Sequence, residues 1–269
     1  MRELGIYAWF GYDLPLSERL EMIAAAGFAS TCLWLGPVEA MVAASQADRM
    51  PELAQRCGLR IDNVHAEYLG CNSLWTDADN DDVFGSYSTA IDFCRRHGIP
   101  ILVAHVTQGL NPPPAGEAGL DRLRRLVDQA GEQGVVLAIE NTNRPDYVDF
   151  LLSRCELPSL GLCYDSSHDF LKGTPPLSIL KRWGHRLVTV HLSDNHGQRD
   201  DHTLPGDGIV DWQALIACFP ADSYRGPVML EVVPDPQARL DAREFLTDAH
   251  ARAAGIMEQL SPTKPETNA

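Results

Sequence analysis

Short apolar runs recur along this chain. Each is followed by turn residues and then by a longer segment whose apolar positions recur every three or four residues. The runs are Leu4 to Ala8, Ser30 to Trp34, Arg60 to Val64, Pro100 to Val106, Val135 to Ile139, Leu160 to Tyr164, Leu187 to Val190 and Val228 to Leu230. Their brevity and β-branched content predict buried strands. The longer segments predict helices over Pro15 to Ala26, Val38 to Cys57, Asp81 to His97, Gly119 to Gln133, Pro145 to Cys155, Pro176 to Trp183, Asp211 to Phe219 and Pro236 to Met257. The first four run into Gly27, Gly58, Gly98 and Gly134, and glycine is the residue best suited to close a helix.

Eight predicted strands thus alternate with eight predicted helices, which implies right-handed βαβ units and a parallel sheet. Eight units suffice for a closed (β/α)8 TIM barrel, and 269 residues is close to its usual length. The alternative is an open doubly wound sheet. No GxGxxG follows the first strand, which weakens the dinucleotide-binding version of that alternative. No internal linker is visible, so residues 1–260 read as one domain and Ser261 to Ala269 (SPTKPETNA) as a disordered tail. Three connections are longer than a barrel needs: Glu67 to Asn80, Thr107 to Ala118 and Ser193 to Val210. All follow a strand and precede a helix, which puts them on the face where barrel active sites form.

The ends of the later strands carry the candidate chemistry. Six in succession deliver a histidine or a carboxylate: His65, His105, Glu140, Asp165, His191 and Glu231. One such carboxylate could simply cap the next helix. Six in a row are harder to explain so, and several carboxylates converging on one axis would repel one another strongly without a cation, so a divalent metal is the natural remedy. Glu140, Asp165, His191 and Glu231 form an oxygen-rich set suited to Mn, Mg or Co, with Zn admitted as imidazoles are added. His168 follows Asp165 by three residues. In the loop RDDHTLPGDG, Asp200 and His202 are either further ligands or part of a solvated acidic turn. His97 and His185 precede strands and read as helix C-terminal caps on the opposite face. His196 reads as solvated, and His250 falls in the last helix. Trp9, Phe10, Trp34 and Trp75 lie at or beyond strand ends, where they could wall a site or pack under the loops.

Composition narrows the partners. There are 22 Lys plus Arg against 37 Asp plus Glu, a formal charge of −15, with 45% apolar and 22% charged residues. These values describe a globular protein and disfavour a nucleic-acid partner, because a net negative surface repels phosphate. No run approaches the roughly 20 apolar residues that span a bilayer, so no membrane partner is expected. The opening MRELGIYAWFGYD makes a poor signal peptide. Seven cysteines, an odd number without a CxxC pair, read as reduced thiols, and the expected location is cytoplasmic.

The stretches AIEN around Glu140, YDSSH with Asp165 and His168, VHLSDN with His191, DHTLPGDGIVDW, and GPVMLE with Glu231 resemble the xylose-isomerase-like TIM-barrel superfamily over nearly the whole chain. That group includes sugar isomerases, ketose 3-epimerases, inosose dehydratases and endonuclease IV. The resemblance implies a metal site of Glu140, Asp165, His191 and Glu231. It also implies that Glu140 and Glu231 act as an acid/base pair through a metal-stabilised enediolate of a sugar or cyclitol. His168 matches a substrate-contacting histidine, and His65, His105 and Trp34 join it as expected substrate neighbours. ENTNRPD resembles the epimerase pattern E-x-x-N-R-x-E, with Asp146 in place of the last Glu. Epimerases place an Arg six residues after the metal His; here that position is Gly197, and Arg199 is the nearest candidate. The resemblance to endonuclease IV extends to nine zinc ligands, His65, His105, Glu140, Asp165, His168, His191, Asp200, His202 and Glu231, and implies a multi-zinc phosphoesterase as the rival activity. Relatives of this group also imply a dimer or tetramer.

Overall fold

The computed structural model describes residues 2–36, 44–76, 82–172, 175–235 and 240–260. Eight strands form one sheet: β1 Leu4–Tyr7, β2 Ser30–Leu35, β3 Arg60–Ala66, β4 Ile101–Ala104, β5 Val136–Glu140, β6 Leu160–Asp165, β7 Leu187–His191 and β8 Val228–Leu230. Strands adjacent in sequence pair in parallel from β1 to β7, and β8 pairs with β1. The ring closes just past β7, where Leu192 bridges in parallel to Leu230. Its N–H donates to the Met229 carbonyl at 2.9 Å, and its own carbonyl accepts from Glu231 N–H at 3.2 Å. The protein is a parallel (β/α)8 barrel, so the open doubly wound sheet is excluded.

Helices α1 Leu16–Ala25, α3 Asp82–His97, α4 Glu117–Glu132 and α5 Pro145–Leu152 fall where the periodicity placed them, as does α8 Trp212–Cys218. Helix α4 shows why: Leu120, Leu123, Val127 and Ala130 recur at three- and four-residue spacing and are all buried. Full burial of each leucine stabilises the fold by about 1.5–3 kcal/mol. Gly27 and Gly134, just past α1 and α4, have φ of +98° and +70°, a left-handed turn that residues with a Cβ rarely adopt.

Three predicted helices change form. Of Val38 to Cys57, residues 38–43 lie outside the described residues. A 3-10 turn over Ala44–Arg49 then leads into α2 Met50–Arg56, with Pro51 in its first turn, where no N–H is missed. Two short helices, α6 Ser166–Lys172 and α7 Ser178–Trp183, separate β6 from β7 where one was expected. The polar run Ser-Ser-His-Asp concealed α6. It begins because the Asp165 carboxylate accepts the His168 N–H at 2.7 Å, as an N-cap would. The last helix, α9 Ala242–Gln259, starts at a capping box between Asp241 and Glu244 instead of at Pro236. Residues 236–239 and the predicted tail 261–269 are not among the described residues.

Candidate metal centre

Side chains alternate along a strand, and residues opposite one another in a ladder point to the same face. Trp34 lies opposite His65, His65 opposite Val103, and Val103 opposite Ala138. Glu140 lies opposite Cys163, and Asp165 opposite His191. His105 and Glu140 come two residues after Val103 and Ala138, so they share that face. One inward position near the C-terminal end of each later strand therefore bears a ligand-type side chain, and closure of the ring makes them converge.

Glu140 is the hub and is only 1% exposed. Its Oε2 lies 3.2 Å from His65 Nε2, 3.4 Å from His105 Nε2 and 3.3 Å from His191 Nδ1. Its Oε1 lies 3.1 Å from His168 Nδ1. Glu231 Oε2 lies 2.8 Å from His191 Nδ1. Towards the rim, Asp200 Oδ2 sits 2.8 Å from His168 Nε2 and 2.9 Å from His202 Nε2. Ser167 Oγ donates to Asp200 Oδ1 at 2.5 Å.

These side chains offer three sets of donor atoms, each within 4.8 Å of one another: Glu140, Asp165, His191 and Glu231; His65, Glu140 and His191; and His168, Asp200 and His202. The deep set fits a divalent ion by a second measure. Asp165 spends Oδ1 on starting α6, while its buried Oδ2 has no hydrogen-bond partner. Neither ring nitrogen of His191 makes a hydrogen bond of good geometry, although Nδ1 faces Glu231. Buried polar atoms are rarely left unpaired, and a cation supplies what these lack.

Burial alone would raise Glu140, but the imidazoles of His105 and His191 outweigh it and hold the carboxyl well below its usual range. Glu231 is likewise held down to about 2, burial being overcome by His191. Burial and the Glu140 charge push Asp165 up to about 7 against the pull of His168. Burial works against protonated His168, yet Asp165 and Asp200 raise it well above its usual value. Burial likewise opposes protonation of His191 and His202, but Cys163, Glu231 and Glu140 raise His191 well above its usual value, and Asp200 raises His202 to about 10. In the ion-free protein, protons thus do the neutralising that a metal would do. Ion uptake must expel them, so affinity is expected to fall as pH falls, with net proton release on binding. Calorimetric titrations with Mn2+ near neutral pH, in two buffers of unlike ionisation enthalpy, measure that release. Equal heats in the two would contradict it.

A cavity of about 380 Å³ opens above the centre, lined by Glu140, His65, His105, His168, Asp200, His202 and Glu231, with Trp9 and Trp34 on its wall. Trp34 stacks on Tyr68, with ring centroids 6.4 Å apart and planes at 10°. Tyr7, Tyr68, Thr107, Gln108, Thr142 and Asn143 also line it and were not singled out by sequence. Tyr68 had a usable signal, as an aromatic three residues past His65 in a long loop. Gln108 and Asn72 join two rim loops, each donating to the other at 2.9 and 2.8 Å. Of the four aromatic residues left between cavity wall and packing, Phe10 and Trp75 are core residues. Phe10 packs on Phe245, while Trp75 packs on Tyr147 and donates Nε1–H to the Val106 carbonyl. Arg199 lies outside this cavity; its side chain is 75% exposed, pairs with Asp201 and borders a neighbouring cavity with Asp200. Arg144 pairs with Asp146 at the surface. His97 bonds the Asp48 carboxylate at 2.9 Å instead of a helix carbonyl.

A closed β/α barrel with carboxylates and imidazoles gathered at its C-terminal mouth defines the class of protein. Residues 20–249 match the xylose isomerase-like TIM barrel family, and the chain belongs to that family. It is 35% identical over 139 residues to the uncharacterized protein y4fM of Sinorhizobium fredii, covering 49% of this chain and 44% of that one. It is 27% identical over 182 residues to the inosose dehydratase of Clostridium beijerinckii, covering 54% and 61%. The chain therefore spans about half the length of these curated relatives. The crystal structure of the IOLI protein with a binding zinc atom superposes with a TM-score of 0.77 at 18% identity, over 97% of this chain and 99% of that one. No helix among the described residues is long and apolar enough to cross a membrane.

Proposed function

We propose that this chain is a divalent-metal-dependent isomerase or epimerase of an uncharged polyhydroxy ketone, a sugar or a cyclitol. The observation that carries this reading is the deep set, three carboxylates and one imidazole gathered from the ends of four successive strands at the floor of a cavity that Glu140 and Glu231 line. Glu140, Asp165, His191 and Glu231 would hold the ion. Such an ion supplies Lewis acidity toward a carbonyl and its neighbouring hydroxyl, which acidifies the adjacent C–H.

The two glutamates differ in surroundings. Glu140 has both oxygens against imidazoles, so its role is to hold the cluster together. Glu231 has a side chain 20% exposed and borders the cavity, so it takes the proton from carbon; in isomerisation it returns the proton to the neighbouring carbon, and in epimerisation Glu140, which also lines the cavity, returns it on the opposite face. Trp9, Trp34 and Tyr68 offer an apolar wall to the C–H face of a sugar. Thr107, Gln108, Thr142 and Asn143 offer hydrogen bonds to hydroxyls. Among the described residues lining the cavity there is no Lys or Arg. That supports a neutral substrate and counts against a DNA phosphodiester, although all nine ligand-type residues of the rival reading do gather at this mouth.

Dehydration is a second reading, favoured by the His168–Asp200–His202 group. Imidazoles held by Asp200 on the cavity wall can protonate a departing hydroxyl. The inosose dehydratase relative points the same way.

The test is incubation of Mn2+-loaded protein with ketoses and inososes in deuterated water, followed by NMR and mass spectrometry. Deuterium at the carbon beside the carbonyl in a product of unchanged formula is expected. A product lacking one water would move the assignment to dehydration. Turnover without deuterium would overturn proton transfer altogether.

A further inference from the structure

Asp194 is fully buried, three residues beyond the metal-type ligand His191, and no cation pairs with it among the described residues. Its two oxygens instead accept four N–H groups. Oδ1 takes Asn195 N–H at 2.9 Å and Val210 N–H at 3.0 Å. Oδ2 takes Gly206 N–H at 2.9 Å and the Trp212 indole N–H at 2.9 Å. These donors are the start, the middle and the end of the loop between β7 and α8, so one carboxylate gathers the whole loop. The Asp194 backbone also exchanges two 2.9 Å hydrogen bonds with Thr203, the residue after His202. His202 itself has φ +48°, a left-handed conformation unusual for a residue with a Cβ, which persists only where neighbours over-determine it. At Gly208 an added Cβ would lie 2.3 Å from Asp194 Oδ1 and 2.1 Å from the Asn195 carbonyl oxygen, so the loop closes tightly around that carboxylate.

We infer that Asp194 is the positioning residue of the outer ligand group. It folds the loop so that Asp200 and His202 meet His168, and it takes no part in holding the deep set. The inference rests on the reading of this mouth as a metal centre and adds that the outer group, whose donor atoms lie within 4.8 Å of one another, takes a second divalent ion. Four N–H donors on one carboxylate are strong, directional and local to the loop. The deep ligands instead stand on or at the end of β5 to β8, whose ladders do not involve the Asp194 side chain.

The experiment is titration of the full chain with Co2+, read by bound metal per chain and by visible absorption, alongside hydrogen exchange of the loop. Asp194→Asn, which keeps the size but loses one acceptor face, is expected to weaken the outer ion by about 10- to 100-fold, the usual effect of removing a group that orients metal ligands. The deep ion should stay within twofold of wild type. The amides of Asn195, Gly206 and Val210 should lose protection. His202→Ala should also remove the outer ion, yet leave those three amides protected, because it spares the Asp194 contacts. Asp194→Glu, which restores the charge, should recover part of the affinity. Unchanged affinity for both ions in Asp194→Asn would overturn the inference and leave the proposed function standing. Equal weakening of both ions would also overturn it, since the effect would then be general. A wild-type chain that binds no ion would sink the metal-centre reading and this inference with it.

Discussion

Glu231→Gln should yield a folded protein whose turnover is lower by about 10²–10⁴-fold, the usual contribution of a positioned acid or base. The amide is nearly isosteric, and Glu231 stands at the cavity, outside the apolar core, so the barrel has no reason to change. What disappears is an oxygen that can accept a proton. The fall should appear in kcat with little change in KM, because the lost interaction belongs to the transition state. Bound metal must be measured on the same sample. If the ion leaves together with the activity, the fall reports the loss of a ligand, the other role proposed for Glu231, and not of a proton carrier. Full retained turnover would remove it from the mechanism.

Glu140→Gln is expected to do something different: it should empty the deep site. Four imidazoles face this carboxylate, and it is common to two of the three donor sets. An amide brings no charge, so it attracts neither a divalent ion nor a protonated imidazole as the carboxylate does. Metal affinity should drop by more than the ~10–100-fold typical of losing a group that only orients a ligand. The consequence can be read without any substrate. At an ion concentration 100 times Kd, binding stabilises the wild-type fold by about 2.7 kcal/mol. Adding Mn2+ should therefore raise the wild-type melting temperature by more than that of the variant, which keeps only the outer group of His168, Asp200 and His202. An equal rise in both would show that Glu140 is no ligand.

Much of the architecture was legible from periodicity. Eight apolar runs mark eight strands, because a strand covered on both faces must be apolar throughout. The glycine stops were readable because few residues besides glycine adopt a positive φ cheaply. The ligand-type residues were legible too, each interrupting an apolar run near its C-terminal end. Trp75 shows where this reading stops. Trp34 lies on β2 in register with His65 and stacks over the cavity, whereas Trp75 lies in the long loop after β3 and packs in the core under that loop. The sequence around Trp75 does not tell which way it faces, since non-periodic segments carry no facing signal. Helix α6 was hidden for a related reason: its start depends on the side chain of Asp165, not on an apolar stripe.

What the amino-acid order determined on its own is which face of each strand bears chemistry, because side-chain alternation is a local property of the backbone. What only the closed ring decided is who meets whom: Glu140 at the centre of four imidazoles, Glu231 at the edge of the cavity, Arg199 turned away beside Asp201. Those distances depend on the stagger between strands and on loops folded by single buried groups such as Asp194. Such contacts join residues far apart along the chain, and no repeat in the sequence records them.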